Sequence, residues 1–158
     1  MNTTRNVIGA FLSTIIAGIT LPLSAIAAPN YGTIAQYVAN LVQNNHYSRT
    51  DFEDDVSEEL LKSFVNFLDT SKLYFTQKDI DNFERKYKTS LDDYIFEGSI
   101  KPATDIYSLY VKRVQDRVKK IEETLKTVDF KFDSNRTVEK RRKDSKWPAD
   151  TAAADVLW

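Results

Sequence analysis

Apolar residues recur every three or four positions over much of the chain between residues 31 and 128, the spacing of one face of an α-helix. The first stretch predicts a helix over 33–45. Its apolar side chains, expected to form one buried stripe, are Tyr31, Ile34, Val38, Leu41 and Val42. A second helix is predicted to start with Asp55 as N-cap and Glu58 three residues later. Its expected buried face is Val56, Leu60, Phe64, Phe67 and Leu68.

A third helix start has the strongest local signal in the chain. Thr76 and Asp79 have the spacing of a capping pair, and Phe75 and Ile80 have that of a hydrophobic staple. The apolar face continues through Ile80, Phe83 and Tyr87. A short further helix, with Leu91, Tyr94 and Ile95 on its apolar face, is predicted to end at Gly98 as a left-handed C-cap.

One long helix follows, with Pro102 in its first turn. Its apolar seam, which predicts about 27 residues or roughly 40 Å of helix, consists of Tyr107, Tyr110, Val114, Val118, Ile121, Leu125 and Val128. A free coiled-coil dimer is one arrangement that such a seam allows. The two tyrosines favour packing against the earlier helices, so we predict an all-α helical bundle.

The pattern changes after Val128. The alternation in residues 130–133 predicts a short strand or an extended arm. Residues 136–146 contain six Lys or Arg and two acidic residues, a local charge of +4. Residues 148–158 begin like another helix, with Pro148 near its first turn and an apolar face of Ala152, Val156 and Leu157. That helix stops at Trp158 without a cap, so we expect the chain to be the front portion of a longer protein.

Composition narrows the possible functions. The 158 residues carry a net charge of −1, which excludes a generally basic nucleic-acid binder, and they include no Cys and one His. His46 is better placed to close a helix than to catalyse. The acidic cluster that begins at Asp51 lacks the Gly and Glu of a calcium loop, with Val56 and Lys62 at those positions. We therefore expect no metal and no cofactor.

The amino-terminal segment has the pattern of a secretory signal. Arg5 precedes an uncharged apolar run over residues 7–28, and small residues predict cleavage between Ala27 and Ala28. A membrane anchor is the competing interpretation, but Pro22 interrupts the run near its end. The predicted organisation is a signal peptide (1–27), a helical domain (28–135) and a basic segment with the start of a helix (136–158). We expect a periplasmic protein that meets the membrane only during export.

The segment Leu68–Phe83, LDTSKLYFTQKDIDNF, resembles the amino-terminal helical domain of tail-specific proteases, the periplasmic carboxy-terminal processing peptidases. The resemblance covers about residues 33–158. Two departures are Thr70, where the family usually has Pro, and the basic run 140–143. The residues that carry the resemblance are Asp69, Lys72, Tyr74, Phe75, Asp79, Ile80, Phe83 and Trp147.

The resemblance implies that longer relatives continue into a PDZ module and a protease domain with a Ser-Lys dyad. We expect no catalytic residue in this chain, because 71–72 and 145–146 are adjacent Ser-Lys pairs in polar turns. The predicted function is a scaffold and protein-contact domain whose partners are the rest of a protease, protein substrates or an adaptor. The alternative is a stand-alone periplasmic helical module that binds protein. Nucleic acid is not an expected partner, although the basic segment leaves an anionic polymer or lipid as a lesser hypothesis.

Overall fold

A computed structural model describes residues 29–45, 53–131 and 141–158, together with residues 133, 135, 137 and 139. The predicted signal peptide, its cleavage site and His46 lie outside these residues. All regular structure in the described part is helical, as predicted, and residues 128–131 form no strand. No helix there is long and apolar enough to span a bilayer. The helices are α1 (Tyr31–Asn45), α2 (Asp54–Leu68), α3 (Gln77–Tyr87), α4 (Leu91–Phe96), α5 (Lys101–Thr127) and α6 (Thr151–Leu157).

The start of α3 is the capping box that the sequence predicts. The backbone N–H of Asp79 donates to Oγ1 of Thr76 at 3.3 Å, and the backbone N–H of Thr76 donates to Oδ2 of Asp79 at 2.9 Å. Phe75 and Ile80, on either side of this cap, are both buried in the core. These contacts fix the direction in which the chain enters α3.

The prediction for α2 was wrong at its start and only partly right in its buried face. Phe64 and Leu68 pack against the core as predicted, whereas Leu60 and Phe67 are exposed. The N-cap is Glu53, whose side chain makes no cap hydrogen bond, and Asp55 lies in the first turn, where its charge suits the helix dipole. The buried residues Ser57, Leu61 and Val65 lie one position beyond the predicted stripe. A tertiary contact accompanies this rotation: the Ser57 hydroxyl donates to Oδ1 of Asp92 in α4 at 2.7 Å.

Helix α4 ends as predicted at Gly98, which has φ of 71°. The backbone N–H of Gly98 donates to the carbonyl of Ile95 at 3.0 Å, and that of Ser99 donates to Tyr94 at 2.8 Å. These two bonds form a Schellman motif, which reverses the chain into α5. Pro102 lies in the first turn of α5, and both Pro102 and Ile106 are buried.

The core lies where α2, α3, α4 and the first half of α5 meet. Its fully buried aromatic centre is Phe75, whose ring packs edge-on against Phe83 at a centroid distance of 5.4 Å. The distal half of α5 extends beyond this core, so the predicted seam of the long helix is buried only in part. Its exposed members include Tyr107, Val118, Leu125 and Val128.

The prediction that the apolar stripe of α1 is buried was wrong. Tyr31, Ile34, Val38 and Val42 are all exposed, and α1 instead packs on α4 through small residues, with Ala39 buried. A Cβ atom at Gly32 would overlap the carbonyl oxygen of Gly98. Large side chains cannot occupy such a close approach of two backbones, so they lie on the other face of α1.

Helix α6 forms, but its start also differs from the prediction. Asp150 is the N-cap, with its carboxylate accepting from the backbone N–H of Ala153 at 3.0 Å, and Pro148 lies two residues before the cap. Ala154 is the buried residue of α6, whereas Val156 is 82% exposed.

Candidate functional site

The carboxylate of Asp69 organises the turn between α2 and α3, residues 69–76, called here the Asp69 turn. Asp69 is buried, and its two oxygens accept from the backbone N–H groups of Leu73 (2.8 Å), Tyr74 (3.0 Å) and Phe75 (2.9 Å). Three successive backbone donors that would otherwise lack partners are thus satisfied by one side chain. This is the physical reason for an aspartate at that position.

Lys72 adopts a left-handed backbone conformation, with φ of 53°, inside the Asp69 turn. This conformation is uncommon for a residue other than Gly, Asn or Asp. Its ammonium group donates to the carbonyl of Ser145 at 2.6 Å and lies 4.7 Å from the centre of the Trp147 ring. The lysine therefore connects the turn to a segment more than seventy residues later.

That later segment, residues 141–158, is called here the strap, because it lies across the Asp69 turn. The indole N–H of Trp147 donates to Oδ2 of Asp69 at 3.1 Å. The backbone N–H of Gln77 donates to the carbonyl of Pro148 at 2.8 Å. The structure thus brings Asp69, Lys72 and Trp147 together in one cluster, in which Trp147 contacts both of the other side chains.

A second carboxylate joins α3 to α5. Oδ1 of Asp79 accepts from Nη2 of Arg113 at 2.8 Å, and Oδ2 accepts from Nε at 3.1 Å. Asp79 therefore closes the cap of α3 and holds the guanidinium of α5 at the same time. Tyr74 packs edge-on against Tyr110 of α5 at 5.5 Å, which adds an aromatic contact between the Asp69 turn and α5.

Helix α6 is held on α5 by charge, and Trp158 after it contacts the Asp69 turn. Asp155 pairs with Arg117 at 3.1 Å and with Lys120. These two cations, with the hydrogen bond from Lys120 as the larger influence, lower the pKa of Asp155. The indole N–H of Trp158 donates to the carbonyl of Leu73 at 3.0 Å, and its ring lies 5.8 Å from that of Tyr74.

The sequence does not predict that Arg113, Arg117 and Asp155 are part of this arrangement. Their partners lie 34 to 38 residues away in sequence, and a charged residue on a helix carries no local signal of a distant partner. That Trp158 packs on another part of the protein is predictable from the sequence, because a large aromatic residue at an uncapped helix end needs a surface to pack on. Which surface it contacts is not predictable.

The Ser-Lys neighbours in the described part are engaged in structural contacts. The Lys72 ammonium contacts the strap, and the Ser145 hydroxyl donates to Oε2 of Glu139 at 3.0 Å. Within the described residues, no group of three or more His, Asp or Glu side chains could hold a metal ion. The contacts among Asp69, Lys72 and Trp147, called here the Asp69 clasp, join the Asp69 turn to the strap.

The sequence of this chain matches a known protein family. Residues 38–158, which include the Asp69 turn, α5 and the strap, match the family described as tail specific protease N-terminal domain. The chain belongs to this family. The predicted resemblance to the amino-terminal domain of tail-specific proteases is therefore confirmed.

A curated relative is the tail-specific protease of Haemophilus influenzae, 32% identical over 116 residues. The alignment covers 72% of this chain and 16% of that protein. The chain thus spans about a sixth of the length of the curated relative that it matches. Every residue that carried the resemblance in the sequence lies within the family match.

Proposed function

We propose that this chain is the helical scaffold and protein-contact domain of a periplasmic tail-specific serine protease. Its role is to dock against the rest of the protease and to help admit protein substrates. The family membership supports the association with a protease. The observation that carries the contact role is the exposed apolar face on the distal half of α5.

This face has the chemistry of a docking surface. Val118 is 49% exposed and Leu125 is 63% exposed, in a helix whose first half is packed in the core. Single exposed apolar residues are normal on proteins, but a contiguous set along one helix marks an interaction surface. We therefore place the contact with the rest of the protease on this part of α5.

A groove beside this face extends the proposed contact. It has a volume of about 410 Å³ and lies between the distal part of α5 and the end of α6. Apolar side chains of α5 and the ring of Trp158 line it, with Arg117, Lys120 and their ion-pair partner Asp155 at the charged side. Such a mixture of apolar and charged side chains suits a polypeptide segment, whose backbone and apolar side chains need both kinds of partner.

The Asp69 clasp contributes rigidity to this surface. Because the strap is hydrogen-bonded to the Asp69 turn and ion-paired to α5, Trp158 lies at a fixed position beside the groove. A preorganised surface loses less conformational entropy when it binds its partner. In this proposal the residues that carry the family resemblance shape a contact surface and do not react with substrate.

A chimera of the Haemophilus influenzae protease tests this function. Residues 38–158 replace the matching segment of that enzyme, and cleavage of one of its protein substrates is measured beside a deletion of the segment. We expect the chimera to retain cleavage and the deletion to lose it. A folded chimera without activity, or a deletion as active as the parent, would contradict the proposed role.

A further inference from the structure

The orientation of α1 is the reverse of that of an ordinary surface helix. It packs on α4 through Gly32 and Ala39, and the Gln36 side chain donates to the carbonyl of Phe96. Its large apolar side chains lie on the outer face, where Tyr31 is 61% and Tyr37 is 69% exposed. At 3.6 residues per turn, Tyr31, Ile34, Tyr37, Val38 and Val42 share an arc of about 140°. An apolar arc wider than about 100° is typical of a helix that faces a core.

Helix α1 also carries no charged residue in its fifteen positions. Two copies of this face therefore meet without opposing like charges, which a two-fold symmetric contact would otherwise place close together. An antiparallel pair of the helices also aligns their dipoles favourably. By contrast, Lys119, Lys120, Glu122 and Glu123 accompany the apolar residues on the distal part of α5.

The area of this face is close to the smallest that a specific dimer needs. The five side chains present on the order of 500 Å² per copy, given about 150–250 Å² for an aromatic residue. A pair would then bury on the order of 1,000 Å², near the lower limit for a specific interface. We propose that the outer face of α1 is a self-association surface, where two copies of this chain pair as antiparallel helices about a two-fold axis near Val38. This inference goes beyond the proposed function and does not depend on it.

Sedimentation of the purified chain over the micromolar concentration range tests the proposal. We expect the mass to rise from one chain to two with a micromolar Kd, with little dependence on salt, because no charges meet in the interface. Val38→Asp places a carboxylate at the axis and should weaken association by at least about 100-fold. Asn40→Asp is the matched control, since it adds the same charge to α1 outside the apolar arc, and it should dimerise like the parent.

A cross-linking experiment tests the same geometry without a destabilising charge. The chain has no Cys, so Val38→Cys introduces a single thiol at the middle of α1, where the two copies would meet. Mild oxidation should give a disulfide-linked dimer for Val38→Cys and not for Asn40→Cys. A chain that stays monomeric and unlinked, or a dimer that persists in Val38→Asp, would overturn the proposal. Neither result would affect the chimera test, which measures proteolysis.

Discussion

The indole N–H of Trp147 donates to the carboxylate of Asp69 at 3.1 Å, across 78 positions of sequence. The same carboxylate accepts three backbone N–H groups of its own turn. One buried side chain therefore determines both the local path between α2 and α3 and the position of the strap. Removal of that side chain should affect the whole arrangement.

Asp69→Ala leaves four donors without an acceptor, of which the backbone N–H of Phe75 is buried and the other three are partly buried. We expect it to lower the free energy of unfolding by about 3–5 kcal/mol, since each unsatisfied buried donor costs about 1–3 kcal/mol and the turn relaxes in part. Urea unfolding followed by circular dichroism measures the change. Asp129→Ala, at an exposed position after α5, is the control and should stay within about 0.5 kcal/mol of the parent. Equal effects of the two substitutions would contradict the role of Asp69.

The contribution of the Trp147 hydrogen bond can be separated from that of its ring. Trp147→Phe keeps an aromatic ring and removes the N–H donor, so it should cost about 1–2 kcal/mol of stability. In an Asp69→Asn background the same substitution should cost less, because the acceptor is already weakened. A double-mutant cycle should give a coupling energy of about 1 kcal/mol; a coupling near zero would mean that the two side chains do not interact energetically.

Arg113 tests the connection between α3 and α5. Arg113→Lys retains the positive charge but cannot make the paired bonds from Nε and Nη2 to Asp79. We expect a loss of about 1–2 kcal/mol in unfolding free energy for Lys and more for Ala. The matched control is Lys112→Ala at an exposed position on the same helix. If Arg113→Ala were as stable as this control, the pair would contribute nothing to the fold.

Gly32 tests the close approach of α1 and α4. Gly32→Ala would place its Cβ against the carbonyl oxygen of Gly98, so α1 must shift away from α4. We expect faster amide hydrogen exchange in α1 with little change in α5, because only the α1–α4 contact is lost. Ala35→Gly, also in α1, should lower helix stability by about 1 kcal/mol without displacing the helix. Unchanged protection of α1 in Gly32→Ala would show that the two backbones do not meet.

The docking of α6 should depend on pH through Asp155. Its pKa is lowered by the hydrogen bond from Lys120 and by Arg117, from an ordinary value of 3.8. A carboxylate with a depressed folded-state pKa stabilises the fold above pH 3.8, and that stabilisation is lost as the pH falls through the lower folded value. In a Trp147→Phe background, Trp158 is the single indole, and its fluorescence should shift to the red in this acid range.

Asp155→Asn provides the comparison for that acid transition. It should weaken the docking of α6 at every pH and remove the local fluorescence step, while circular dichroism follows any global unfolding separately. An identical acid profile for the Asp155→Asn variant would assign the step to another group.

The features that the sequence predicts well are local. The capping box at Thr76, the C-cap at Gly98 and the length of α5 depend on residues within a few positions of one another, where backbone geometry and periodicity apply directly. Family resemblance also identified Asp69, Lys72 and Trp147 as a set, although not their contacts. Their spatial relationship depends on a chain reversal through α3, α4 and α5.

The features that the sequence mispredicts depend on partners in space. Apolar periodicity assumes that the largest side chains of a helix face the core. In α1 the close backbone approach at Gly98 selects small residues for the inner face instead, and in α2 the Ser57–Asp92 hydrogen bond accompanies a rotated face. The pair between Arg113 and Asp79 likewise has no local signature. These contacts need the tertiary structure to be recognised.

The central claim is that the chain serves a protease through contact surfaces on its helices. The most direct test is kcat/KM of the chimeric Haemophilus influenzae protease that carries residues 38–158, with Val118→Asp compared with Lys119→Gln. Both substitutions lower the net charge by one at exposed positions of α5, but only the first lies on the apolar face. We predict a loss of at least about tenfold for Val118→Asp, from burial of an unpaired charge, and a change within about twofold for Lys119→Gln. Equal activity of the two chimeras would contradict the claim.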